Sequence, residues 1–120
     1  NQDDENLKEF ITPLAEANKE WGELTMHVGM AAMNNADEVG AAAVDYLMYA
    51  GFVTQAYLWA RTVKVAQGKL DAADAEFYKA KIQTARFFYQ RLFPRTRTYV
   101  ETIKSGVDNL LSMDVDSFSF

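Results

Sequence analysis

The chain has no cysteine, a single histidine, only two prolines and fewer basic than acidic residues. Each shortage removes a class of function. Without cysteine there are no disulfides, thiolate metal sites or thiol nucleophiles, and the composition fits a reducing, cytoplasmic setting. The lone His27 cannot supply the two Glu-x-x-His pairs of a di-iron bundle, and Glu23 stands four rather than three positions from it. A net charge of −5 argues against a general nucleic-acid binder. The longest uncharged stretch, Tyr46 to Ala60, is shorter than the ~20 residues of a membrane span. The glycines are isolated, so no loop cradles a phosphate, and the serines lie at the C-terminal end, far from His27. No catalytic, cofactor-binding or metal residue is expected in this chain.

What remains is amphipathic helix. With 120 residues, 49% hydrophobic and 24% charged, the chain is large enough to bury a core as one domain. Leu7, Phe10, Leu14, Ala17, Trp21, Leu24, Val28 and Ala31 alternate spacings of three and four, the seam of a first helix. Thr12-Pro13 inside that seam reads as an N-cap and first turn, or as a kink. Residues 1–11 are therefore expected to be a linker or an extension of the first helix, 12–113 the helical domain, and 114–120 a tail too short for an element.

A second helix is expected from about Ala36 to Leu70, opened by a capping box of Asn35 and Glu38. At about 100° per residue, Val39, Ala50, Val53 and Tyr57 share one face, and Met48, Phe52, Trp59 and Val63 the opposite one. Two apolar faces need two partners, and a chain this short is expected to supply the second only in part. Gly40 and Gly51 cost about 1 kcal/mol each against alanine, a cost tolerated where another helix approaches closely. A third helix, about Ala73 to Phe93, carries Tyr78, Ile82, Ala85, Tyr89 and Leu92 on one stripe, and Pro94 ends or bends it. The last helix, from about Arg95, continues with Val100, Ile103, Val107, Leu110 and Leu111. Short connections between long helices predict an all-α, up-down four-helix bundle with a long, two-faced second helix.

Three further features carry expectations. Met26, Met30 and Met33 surround His27 on one face, and core packing is the expected role rather than haem ligation, with His27 partly buried. Asp45, a lone acid among apolar neighbours, is expected to have an arginine or tyrosine partner, because an unpaired buried carboxylate is costly. Lys79, Lys81, Arg86, Arg91, Arg95 and Arg97 fall in a window without acids, and Phe87 lies between two groups of them. The window reads either as a solvated face with internal ion pairs or as a docking face anchored by Phe87. Together these features give a candidate docking surface of Met48, Phe52, Trp59, Val63, Arg86, Phe87 and Arg91.

Four blocks, EVGAAAVDYL at Glu38–Leu47, YLWAR at Tyr57–Arg61, FYKAKIQTARFF at Phe77–Phe88 and RLFP at Arg91–Pro94, carry a family resemblance. Their order resembles the extra C-terminal helical domain of one branch of the acyl-CoA dehydrogenases, the branch similar to 3-methylmercaptopropionyl-CoA dehydrogenase. The resemblance implies a parent flavoenzyme that oxidises an acyl-CoA to a 2-enoyl-CoA with a glutamate base and FAD, passing electrons to an electron-transfer flavoprotein. Those parts belong to preceding domains, so FAD is implied for the parent and no cofactor for this chain. The chain begins at Asn1 rather than methionine, which fits a piece of a longer protein. The expected partners are the preceding dehydrogenase domains or a second subunit, with neither nucleic acid nor a membrane span. The rival expectation is a free-standing helical module that self-associates through the second helix and has no enzymatic activity.

Overall fold

A computed structural model describes residues 5–118, and every regular element among them is helical. A 3-10 turn, Glu5–Leu7, leads into α1, Lys8–Asn34, and a short connection leads into α2, Asp37–Gln67. After a turn come α3, Ala75–Phe87, a π-helical turn at Phe88–Leu92, a 3-10 turn at Phe93–Arg95, and α4, Thr96–Lys104. The chain closes with α5, Asp108–Leu111, and a 3-10 turn at Val115–Phe118.

α1 runs through Pro13 without a break. A proline inside a helix gives up the bond to the carbonyl four residues back, here that of Glu9. Leu7 and Phe10 before it and Leu14 and Ala17 after it are all buried, so packing on both sides holds the helix across the gap. Among the described residues before position 12, Glu5–Leu7 form the 3-10 turn and residues 8–11 belong to α1, with Leu7 and Phe10 in the core. At the start of α2, the Asn35 side-chain oxygen accepts the amide of Asp37 at 3.0 Å. The second half of the expected capping box does not form, because the Asn35 amide donates to the Ala31 carbonyl at 3.0 Å instead.

α3, the two turns and α4 form one long rod rather than two antiparallel helices. Ile82, Ala85, Tyr89, Phe93, Thr96, Val100, Ile103 and Val107 are buried in steps of three and four, straight through Pro94. Nothing in that pattern turns the chain back, so the expected fourth antiparallel helix is a continuation of the third. Two ion pairs set the register of this rod on α1: Arg86 to Glu9 at 2.7 Å, and Arg97 to Glu20. Both positions advance together, so α1 and the third rod run in the same direction. α2 runs the other way, with the Gln67 side chain donating to the Asn6 carbonyl at one end and Trp21 Nε1 donating to the Tyr46 hydroxyl further along, both at 3.0 Å. The result is three rods, up-down-up.

The largest fully buried side chains are Tyr49, Phe10, Leu24, Val53 and Val63. The Phe10 ring meets Tyr89 edge-on at 5.2 Å, and the Tyr89 hydroxyl donates to the Ala56 carbonyl at 2.6 Å, tying all three rods at one level. The molecule is long and flat, 67 × 33 × 16 Å, with a radius of gyration of 19.3 Å. A compact chain of this length would have about 14 Å. Gly106 adopts φ +80°, a conformation open to glycine, and ends the third rod beside the Glu38 carboxylate at the start of α2. The buried stripe stops at Val107; Leu110 and Leu111, expected to continue it, are exposed.

Candidate docking surface

α2 lies between α1 and the third rod, and that position decides which of its faces remain open. The two faces separated in the sequence are the two flanks of a single broad core-facing arc. Phe52, on one flank, meets Phe88 at 6.3 Å and Tyr99 at 5.9 Å in the third rod. Tyr57, on the other, lines a groove with Leu7, Ile11 and Leu14 at the start of α1. Val53 and Val63, drawn from opposite faces, are both buried in the same core. The chain therefore supplies a partner for each flank itself. Val63, with 0% exposure, is closed to any outside partner, and Phe52 and Trp59 are half-buried against the core. Of the four α2 positions only Met48 is exposed.

The face of α2 turned away from both neighbours is apolar as well. Val44 is 72% exposed, Leu47 71% and Leu58 53%, and Gly40, Gly51 and Val65 continue the same line at helical spacing. No side chain approaches Gly40 or Gly51: a Cβ built on either would meet nothing within 4 Å. Among the described residues nothing makes the close helix approach expected at these glycines. The third face was missed because the wheel was divided in two, although an uncharged line from Gly40 to Val65 at spacings of three and four was there to be read.

The basic window divides by partner. Arg86 grips Glu9 through Nε and Nη2, Lys79 pairs with Glu76 at 3.2 Å, and Arg97 is held by Glu20. Lys81 sits over the Phe77 ring at 5.1 Å. Arg91 and Arg95 are exposed, as is Phe87 at 59%. The structure thus leaves Phe87 and Arg91 on the open side of the third rod and ties Arg86 back to α1.

Glu20 is the most connected charge. Burial alone would raise its carboxyl, but hydrogen bonds from Arg97 and from the Tyr49 hydroxyl, the latter at 2.7 Å, hold it below the ordinary value. Burial first, then the Glu20 carboxylate, pushes the Tyr49 phenol above its ordinary range, and burial does the same for Tyr89. Hydrogen bonding to Glu9 likewise raises Arg86, and hydrogen bonding to Glu20 raises Arg97. These groups join rods, and Glu20, Tyr89 and Arg97 also line a cleft of about 480 Å³ with Pro13, Phe93 and Thr96.

Met26, Met30 and Met33 are exposed rather than packed in the core, because no buried residue of α1 lies beyond Leu24 and this end of the helix has neighbours on one side only. His27 is exposed too, not partly buried. Asp45 is half-exposed and makes no hydrogen bond or ion pair among the described residues, since water reaches it and removes the need for a partner. Among the described residues no group of three or more metal-binding side chains forms, and no helix is long and apolar enough to cross a membrane. A comparison with curated protein sequences finds no match. The family model described as acetyl-CoA dehydrogenase C-terminal like matches residues 1–114, and the chain belongs to that family.

Proposed function

We propose that this chain is the C-terminal accessory domain of an FAD-dependent acyl-CoA dehydrogenase, of the branch resembling 3-methylmercaptopropionyl-CoA dehydrogenase. Its role is assembly, and the bond making belongs to other parts of the enzyme. The family match over residues 1–114 carries this reading, and the open apolar line on α2 supports it. In such an enzyme bound FAD would supply the acceptor for the hydride leaving the acyl-CoA β-carbon. The groove between α1 and α2 does not fit that cofactor. Of about 540 Å³, it is lined by apolar side chains with no cation to meet a pyrophosphate. Its two hydroxyls, Thr25 and Tyr46, lie 2.6 Å apart and satisfy each other. No step of the reaction is therefore assigned to a residue here.

Phe87 and Arg91, about a turn apart on the open side of the third rod, suit a contact with the dehydrogenase body: an apolar anchor beside a guanidinium exposed to solvent. A free-standing self-associating module draws on the same open α2 face. The coding sequence upstream of Asn1 separates the two readings. An open frame of several hundred codons encoding dehydrogenase domains is expected, and an initiator methionine directly before Asn1 would overturn the enzyme reading. At the protein level, the purified chain alone is expected to show no flavin absorbance, while deleting it from the parent lowers the assembled mass and leaves flavin bound.

A further inference from the structure

The open line on α2 is symmetric about Gly51. Val44 and Leu58 stand equally far from Gly51 along the helix, as do Leu47 and Gln55, and all of them are exposed. We propose that this face pairs with the same face of a second copy of the chain, antiparallel, with the two-fold axis passing at Gly51. The inference rests on the assembly role given above and names the occupant of this face.

Three observations select a second copy. An isologous contact must be complementary to itself, and in this arrangement Val44 of one copy meets Leu58 of the other while glycine meets glycine at the axis. Gly51 has open space where a Cβ would stand, so two helix backbones can come close there. The charges agree as well. The chain carries net −5, so most of its surface repels a copy of itself, yet this line has no charged residue from Gly40 to Val65. The line is about 38 Å long at 1.5 Å per residue. Phe77 of α3, in a groove with Leu58 and Val65 that Arg61 and Lys81 border, widens it toward the ~800 Å² per partner of a standard interface.

The absence of cysteine makes the test direct, and the chain carries its own buried core, so it is tested as it stands. Gly51→Cys is expected to form a disulfide-linked dimer under mild oxidant many-fold faster than Gly22→Cys, an exposed helical position on α1. In sedimentation equilibrium at micromolar to millimolar concentration the unmodified chain is expected to approach twice its monomer mass. Val44→Lys and Leu58→Glu should each return it to monomer with unchanged helical circular dichroism, and the double variant should restore the dimer, because the two changes meet across the axis. A monomeric parent chain, equal cross-linking at positions 51 and 22, or a double variant that stays monomeric would overturn the proposal. Each of those results leaves the upstream reading frame, and with it the enzyme reading, untouched.

Discussion

Glu20 connects all three rods through two partners, and its protonation is the point at which pH reaches the fold. Its carboxyl is held below 4.5 in the folded chain, so its contribution is complete above that value and is lost as pH falls through the folded pKa. Tyr49 and Tyr89 are held above 10.0, so their contribution is complete below that value and is lost as pH rises through the folded pKa. The combined contribution of these three groups is therefore expected to be flat between about pH 4.5 and 10 and to fall on both sides. Glu20→Gln should flatten the acid limb at a cost of about 1 kcal/mol at neutral pH, a modest figure because Arg97 is largely exposed. Thermal melts of both proteins from pH 3 upward check it, with about equal acid limbs as the outcome that removes Glu20 from the account.

At the scale of elements, what could be read from the sequence depended on how many neighbours a helix has. α1 has its neighbours on one side, and its seam from Leu7 to Val28 is the stripe that the structure buries or half-buries. The stripe from Ile82 to Val107 was equally readable, but Pro94 between its halves invited a reversal. In the structure a π turn and a 3-10 turn carry the rod past the proline instead. α2 was the least readable, because a helix with a neighbour on each flank and a third apolar face shows little net direction. The docking residues chosen from it fell on the flanks, where Phe88 and Tyr99 cover Phe52, while the open face was passed over. Glycines placed in open space give this scale its own test. Gly22 and Gly29 lie inside α1, and a methyl group added at either would meet nothing within 4 Å among the described residues. Gly22→Ala and Gly29→Ala are each expected to stabilise the chain by about 1 kcal/mol, seen as a higher urea midpoint at constant slope. A lower midpoint would mean that these positions are already covered.

For the whole molecule, the distribution of the core matters more than its size. Buried side chains from the three rods gather around Phe10, Tyr49, Val53 and Tyr89, whereas α1 contributes none beyond Leu24 and α2 only Ala42 before Tyr49. The end of the α1–α2 hairpin is thus an arm held by partial contacts, with Met26, Met30 and Met33 open on one side and Val44 and Leu47 on the other. Local opening follows the density of buried contacts. In hydrogen exchange, amides of residues 26–41 are expected to exchange well ahead of those around Val53 and Ala85, whose protection should follow global unfolding. Pairing through the α2 face changes this pattern selectively. As concentration rises, residues 44–58 should gain protection while the methionine-bearing end of α1 does not. Uniform protection along both helices would show that the arm is no weaker than the centre. Gain of protection confined to α1 would place the contact on the wrong side of the hairpin.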